Sequence, residues 1–175
     1  MEMRKLILGL LLFILCGCEN HIGEKMYVIG IGLDRKESNT LYLAIVDGSN
    51  KDEEFRIISE QGNSIDDIIN NLEKKYNASI EFKNTSFILS NTYDKTWIVD
   101  IIEDVSIDYD CKYSYSDSIK EVFALDSPTL VDDIIRSIAK EQTIINFLNN
   151  NWQEHQIIHS DGKEVYADEL KRITK

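Results

Sequence analysis

The stretch Tyr27-Val-Ile-Gly-Ile-Gly-Leu33 decides how the rest of the chain is arranged. It is typical of a β-strand whose side chains alternate between two faces. Two glycines on one face of a strand indicate that a neighbouring element packs closely there. The alternation predicts one face with Tyr27, Ile29, Ile31 and Leu33, and an opposite face with Val28, Gly30 and Gly32.

Two more strands are predicted to follow this stretch. The residues from Thr40 to Val46 alternate, with Leu41, Leu43 and Ile45 on one face. Together with the first strand they predict a hairpin across a polar turn. A solvated loop from Asp47 to Glu54 then leads to a third strand from Phe55 to Ser59.

The best-marked helix is predicted to begin after Ser64. Ser64 is a good N-cap, and Asp67 three residues later completes a partial capping box. Lys74 and Lys75 lie at the negative end of the helix dipole. An apolar stripe predicts that this helix packs flat on a sheet, through Ile65, Ile68, Ile69, Leu72 and Tyr76.

Strands and helices alternate in the middle of the chain, and a helical third follows them. The expected elements are a strand at Thr85 to Ser90, a helix capped by Asp94, a strand at Tyr109 to Tyr115, a short helix from Ser116 to about Ala124, a helix opened by Ser127 with Pro128 at its first position, and a helix capped by Thr143 that reaches Trp152.

The end of the chain carries a hairpin signal. Asp161-Gly162 is a two-residue turn signal between Gln156 to Ser160 and Lys163 to Tyr166. A polar tail, helical or frayed, runs from Asp168 to Lys175. The element order predicts an α/β (α+β) domain, with a mixed, mainly antiparallel sheet, amphipathic helices packed on it, a helical C-terminal third and a terminal hairpin.

The first residues indicate export. Arg4 and Lys5 precede an apolar run from Leu6 to Leu15, which is shorter than the roughly 20 residues of a membrane-spanning helix. The residues before Cys18 resemble a bacterial lipoprotein box, whereas Cys16 follows bulky Leu15 and fits less well. We expect a signal peptide at 1–17, a lipid-anchored tether at 18–26, a domain at 27–150, and a hairpin with a tail at 151–175. An ordinary secretory signal is the alternative.

The charge of the chain limits its partners. A formal net charge of −12 at pH 7 is repelled by nucleic acid phosphates and by anionic lipid head groups. Membrane attachment is therefore expected to come from lipid on Cys18, because two acyl chains anchor stably where one binds only marginally. No nucleic acid partner is expected.

No catalytic, cofactor or metal site is predicted. Gly30 and Gly32 lack the third glycine and the helix of a dinucleotide fingerprint, since Arg35 stands in that position. His155 and His159 are four residues apart, but no cysteine or third histidine lies near them in sequence, and Asp161 or Glu154 would complete a site only by chance. Surface histidines are therefore favoured over a metal pair. Nothing assembles a nucleophile, a base and an orienting group, which argues against an enzyme.

The remaining candidates have simple structural interpretations. Cys111 shares its strand parity with three tyrosines, which favours a small buried residue over a nucleophile. The acidic stretches at 47–54 and 104–110 lack the order of a calcium loop and are read as solvated loops.

The lipoprotein-box cysteine, the short polar segment and Val28-Ile-Gly-Ile-Gly-Leu-Asp34 together resemble the N-terminal domain of the GerC-type spore germination lipoproteins. These are the C subunits of nutrient germinant receptors. The order of the following elements, to about Asn150, is similar to that family. Its members are longer, so the resemblance implies a short form, either a functional paralogue or a truncated copy.

The resemblance implies a non-enzymatic subunit of a germinant-receptor-like membrane complex that acts in spore germination. Its implied partners are integral-membrane A-type and B-type subunits. Its implied place is the extracytoplasmic face of the cell membrane (the inner membrane of the spore), held by a palmitate-type diacylglyceryl group on Cys18. The alternative is a cell-surface lipoprotein that binds a solute or a peptide.

Overall fold

The structure is a computed structural model that describes residues 24–36, 39–47, 55–92, 95–125, 127, 129–149, 154–168 and 171–172. Strands and helices alternate along these residues. The strands are β1 Glu24–Asp34, β2 Thr40–Asp47, β3 Phe55–Gln61, β4 Ala78–Glu81, β5 Phe87–Ser90, β6 Lys112–Tyr115, β7 Glu154–His155, β8 Ile158–Ser160, β9 Val165–Ala167 and β10 Lys171–Arg172. The helices are α1 Ile65–Tyr76, α2 Lys95–Val105, α3 Ile119–Phe123, α4 Leu130–Ser137 and α5 Ile144–Leu148.

A six-stranded mixed sheet forms the centre of the fold. Its order is β3-β2-β1-β5-β6, and β4 pairs with the first part of β1. The long strands β1, β2 and β3 pair antiparallel, whereas the short strands β4, β5 and β6 join in parallel. The predicted α/β (α+β) class, with a mainly antiparallel sheet and helices packed on it, is confirmed.

A β-bulge in β1 changes the predicted faces. The register with β2 shifts between Val28 and Gly30, which leaves Ile29 without a partner in that strand. An extra residue inverts the parity of a strand. Val28 therefore lies in the same apolar core as Ile31 and Leu33, and Ile29 packs on the opposite side. The predicted placement of Tyr27, Val28 and Ile29 is wrong for this reason, and the placement of Ile31, Leu33 and both glycines is correct.

The first face of the sheet is covered by α1, α2 and α5. Ser64 caps α1 as predicted, since its hydroxyl accepts a hydrogen bond from the backbone N–H of Asp67 at 3.2 Å. Asn77 ends the helix in the left-handed conformation, with φ of 49°. The buried stripe of α1 packs on the sheet as predicted, through Ile65, Ile68 and Leu72.

The second face of the sheet is covered by α3, α4 and the β8–β9 hairpin. Here the glycines of β1 admit aromatic rings at very short range. A Cβ on Gly30 would lie 2.1 Å from Cζ of Phe87, and one on Gly32 would lie 2.4 Å from Cε2 of Phe123. The predicted close neighbour of the glycine face is confirmed, because both rings belong to the second apolar core.

The outer edge of β6 is closed by the C-terminal part of the chain. Gln142 is 2% exposed, and its side chain bonds both backbone groups of Gln156. Its Oε1 accepts from the Gln156 N–H at 2.9 Å, and its Nε2 donates to the Gln156 carbonyl at 3.4 Å. The side-chain amide of Gln142 thereby bonds the backbone of Gln156 in the way that a neighbouring strand would.

The terminal hairpin is confirmed, but its turn is longer than predicted. Ser160 pairs with Val165, so four residues rather than two connect the strands. Asp161 Oδ1 accepts hydrogen bonds from the backbone N–H groups of Lys163 and Glu164, which stabilises the wider turn. These bonds lower the pKa of the Asp161 carboxyl. Part of the predicted tail forms β10, which pairs with β7, so it is not helical there.

Other boundaries also differ from the expectation. β4 was not predicted, and β6 begins at Lys112 rather than Tyr109, which lies in an exposed turn. Helix α4 begins at Leu130, two residues after the predicted proline position. Pro128, Asp94, Trp152 and the signal and tether residues before Glu24 lie outside the described residues.

Candidate functional site

The glycine-rich motif ends in a carboxylate that joins two strands. Asp34 Oδ1 accepts a hydrogen bond from Asn91 Nδ2 at 2.5 Å and another from the backbone N–H of Lys36 at 3.1 Å. Asn91 Oδ1 in turn accepts from the backbone N–H of Arg35 at 2.9 Å. Because β1 and β5 run in parallel, these bonds connect their carboxyl ends.

The turn after β1 is also fastened to the helices. The Arg35 guanidinium carbon lies 4.6 Å from the ring centroid of Trp97 on α2, a cation–π contact. Lys36 Nζ donates to the Asp117 carbonyl, before α3, at 3.0 Å. We call Asp34, Arg35, Asn91 and Trp97 the motif corner. The Asp34 carboxylate accepts hydrogen bonds from Asn91 and from the Lys36 N–H, so its clearest role is to position the backbone after β1.

Two of the open grooves on the described surface are lined in part by strand residues. One of about 410 Å³ is polar and lies beside Asp34, Tyr42, Lys75 and Lys120. Burial raises the pKa of the Tyr42 hydroxyl, and the charges of Asp34 and Glu121 raise it further. The other groove, of about 590 Å³, runs between α1, β4 and the end of α2, with Ile69, Ile80, Phe82 and Val105 among its lining residues.

The family comparison matches the part of the chain that contains the motif corner. The family described as spore germination protein N-terminal domain matches residues 19–111. The chain belongs to this spore germination protein family. Searches of curated proteins and of solved structures found no match.

The match, here called the germination domain (residues 19–111), covers β1 to β5 with α1 and α2. It ends at Cys111, one residue before β6, although β6 pairs with β5 in the same sheet. The motif Gly-Ile-Gly-Leu-Asp lies in β1, which is the strand between β2 and β5 in the sheet. Its glycines admit Phe87 and Phe123, and its aspartate closes the motif corner.

Cys18 is the residue that the sequence predicts to be lipidated, and it lies outside the described residues. It directly precedes the germination domain, and the first described residue after it is Glu24 at the start of β1. Within the described residues, no helix is long and apolar enough to cross a membrane.

The two candidate histidines lie in different strands. His155 is in β7, and its side chain lies outside the described part of the structure. His159 is in β8, where its Nδ1 lies 3.0 Å from Asp117 Oδ1 and its ring stacks on Tyr166. Its Nε2 lies 3.2 Å from Asp168 Oδ2 but outside hydrogen-bond geometry. His159 therefore connects the β8–β9 hairpin to Asp117, which lies between β6 and α3.

The histidine and acidic candidates form no metal centre that the structure describes. No group of three or more histidine, cysteine, aspartate or glutamate side chains is placed to hold a metal ion within the described residues. Asp108 accepts a hydrogen bond from the backbone N–H of Asp110 at 3.0 Å, which shapes the turn before β6. Residues 48–54 of the other acidic stretch lie outside the described part.

Cys111 is the small buried residue that the sequence predicts. It is 4% exposed, and burial, aided by the nearby charge of Asp108, raises the pKa of its thiol to about 12. A thiolate is the reactive form of cysteine, so the thiol is inert near neutral pH.

The partners of Asp34 in the motif corner were not predicted from the sequence. Asn91 and Trp97 are far from Asp34 in sequence, and only the parallel pairing of β1 with β5 brings them together. The available signal was a polar residue directly after an apolar strand, because the carboxyl ends of parallel strands share one end of a sheet.

Proposed function

We propose that this chain is a non-enzymatic, lipid-anchored subunit of a germinant-receptor-like membrane complex. Membership of the spore germination family supports a role in germination. The observation that carries the anchoring is the position of Cys18 directly before the family match. A diacylglyceryl group on Cys18 supplies two acyl chains, which is sufficient for stable anchoring.

The short distance to the sheet supports docking at the membrane. The chain from Cys18 to Glu24 spans at most about 22 Å when it is fully extended. An anchored domain would therefore remain beside the bilayer, on its extracytoplasmic face, where integral-membrane A-type and B-type subunits expose their surfaces. Docking to such subunits requires no catalytic group and no cofactor.

The anchor is tested with two neighbouring cysteines. The chain is expressed in a lipoprotein-processing host that is fed radioactive palmitate, as wild type, Cys18→Ala and Cys16→Ala. We expect label and membrane retention in the wild type and in Cys16→Ala, and neither in Cys18→Ala. Equal labelling of all three chains, or of none, contradicts the anchor.

The complex is tested by mild crosslinking in spore membranes. Purification of the tagged wild-type chain is expected to recover integral-membrane receptor subunits. A tagged Cys18→Ala chain, released from the membrane, is the control and should recover fewer of them. Recovery of no integral partner contradicts complex membership.

A cell-surface lipoprotein that binds a solute or a peptide is the second candidate. The groove of about 590 Å³ favours it, because apolar residues such as Ile69 and Phe82 line it together with polar ones such as Asp66 and Lys83. Under this alternative, Ile69→Asp in the groove should abolish ligand-induced thermal stabilisation by an extract of nutrients. Normal receptor crosslinking together with no stabilisation by nutrients excludes this alternative.

A further inference from the structure

Two of the few exposed large apolar side chains lie together. Among the described residues, the large apolar side chains classed as exposed are Tyr109 at 52%, Ile145 at 42% and Tyr166 at 45%. The backbone N–H of Ile145 donates to the Tyr109 carbonyl at 3.2 Å, which holds these two residues side by side. Single exposed apolar residues are ordinary, but an adjacent pair needs an explanation.

Backbone hydrogen bonds hold the segments that carry Tyr109 and Ile145 in place. Tyr109 lies in a turn that closes with a hydrogen bond from the Cys111 N–H to the Asp108 carbonyl at 3.0 Å. The N–H of Ile144, which is fully buried, donates to the Cys111 carbonyl at 3.0 Å. Cys111, two residues after Tyr109, and Ile144, directly before Ile145, are therefore hydrogen-bonded to each other and buried in the core.

The pair lies at the end of the sheet where the chain enters. The strands β1, β5 and β6 run in parallel, so their first residues point towards one end of the sheet, which we call the amino end. The first residues of β5 and β6 are level with Gly30, and β1 extends six residues further in that direction, to Glu24. The Tyr109 turn directly precedes β6, and Glu24 begins β1. The third exposed residue, Tyr166, stacks on His159, which contacts Asp117 after the end of β6. Tyr166 therefore lies towards the opposite, carboxyl end.

We propose that Tyr109 and Ile145 form a lipid-contact patch, which seats the amino end of the domain on the boundary between head groups and acyl chains. The proposal rests on the proposed anchoring through Cys18, since the span of at most about 22 Å to Glu24 brings this end to the bilayer. Tyrosine suits the boundary because its ring is apolar and its hydroxyl is polar. Isoleucine adds apolar area beside it.

The size of the patch favours lipid over protein as its occupant. A stable protein interface buries about 800 Å² on each partner, which two half-exposed side chains do not supply. A lipid surface needs no matching shape, and the acyl chains on Cys18 would already hold the domain near it. The patch then sets the orientation of the domain rather than its affinity.

The charges around the patch predict which lipids it prefers. Asp108, Asp110 and Glu141 are exposed near it, against exposed Lys140. An anionic bilayer repels a locally acidic surface. Contact should therefore be closer on zwitterionic phosphatidylcholine than on phosphatidylglycerol.

The test uses tryptophan as a probe at two matched tyrosines. Full-length acylated chains with Tyr109→Trp or Tyr166→Trp are purified from membranes and reconstituted in phosphatidylcholine vesicles with brominated acyl chains. The unsubstituted chain gives the background from Trp97 and Trp152. We expect a blue shift and bromine quenching from Tyr109→Trp, and no added quenching from Tyr166→Trp.

The outcomes separate the patch from the anchor. Equal quenching at both positions, or none at Tyr109→Trp in a membrane-bound chain, overturns the patch and leaves the anchor intact. A wild-type chain that does not float with vesicles overturns both proposals. If quenching of Tyr109→Trp disappears when receptor subunits are added, a protein is the occupant of the patch. That result also overturns the proposal. Unchanged thermal unfolding of Tyr109→Ser with Ile145→Ser checks that the patch has no structural role.

Discussion

Asn91 donates a side-chain hydrogen bond to Asp34 at 2.5 Å, and this bond joins the carboxyl ends of the neighbouring strands β1 and β5. It gives the aspartate at the end of the glycine-rich stretch a structural role. The same amide accepts from the Arg35 N–H, so it holds the backbone that carries Arg35 towards Trp97. The motif corner depends on Asn91 at two points.

Replacement of Asn91 by alanine should weaken this corner. Asn91→Ala removes a donor to a carboxylate and an acceptor for a backbone N–H, so we expect a loss of about 2 kcal/mol in the free energy of unfolding. Urea denaturation measures the loss. Asn71→Ala, at an exposed position of α1, is the control and should change stability by less than about 0.5 kcal/mol. Equal effects of both substitutions contradict the role of the corner.

Replacement of Gly32 by alanine should destabilise the second face of the sheet. The added Cβ would lie 2.4 Å from the Phe123 ring, so α3 must move outward. Overpacking of this kind costs about 1 to 3 kcal/mol. Thermal unfolding measures it, and Gly32→Ala combined with Phe123→Leu should recover part of the loss. A double variant that is no more stable than Gly32→Ala alone argues against this clash.

The thiol of Cys111 should make stability depend on pH in the alkaline range. Its pKa is about 12 in the folded chain, against 9.0 for an unperturbed thiol, because burial disfavours the thiolate. The folded state then holds a proton that the unfolded state releases. The stabilisation is complete below pH 9 and declines as the pH rises towards 12, by at most about 1.4 kcal/mol per pH unit.

The comparison with Cys111→Ala isolates this effect from the titration of lysines and tyrosines. The difference in unfolding free energy between the two chains should be constant below pH 9 and should fall above it. A difference that does not change with pH up to 11 would show that the thiol is not held in its protonated form.

The amide of Gln142 should be needed to close the β6 edge. Gln142→Leu keeps the side-chain volume but removes the acceptor of the Gln156 N–H, which costs about 1 to 3 kcal/mol. The Gln156 carbonyl keeps its hydrogen bond from Ser114 Oγ at 2.8 Å. Hydrogen exchange at the Gln156 amide should rise in this variant. Gln61→Leu, at an exposed position of β3, is the control. Unchanged exchange at Gln156 contradicts the closing role.

Local patterns in the sequence were sufficient for the elements that depend on local chemistry. Ser64, Asp67 and the apolar stripe fixed α1, because capping and periodicity act within a few residues. The two glycines of β1 correctly indicated a close neighbour, since glycine within a strand often marks a site that another element approaches closely.

Features that depend on pairing between distant segments could not be predicted in this way. The bulge at Ile29 is a matter of register with β2, and it inverted the faces of the residues before it. β4 is only four residues long and is defined by its pairing with β1. Gln142 carries no local signal, because its two bonds reach a strand-like segment that lies later in the chain.

Nutrient-triggered germination of spores tests the central claim most directly. Spores that lack this chain are complemented with the wild type, Cys18→Ala or Cys16→Ala, at equal protein levels, and loss of refractility is followed after each germinant. We predict that the deletion slows the response to at least one germinant, and that wild type and Cys16→Ala restore it while Cys18→Ala does not. An unchanged response of the deletion spores to every germinant would contradict the account.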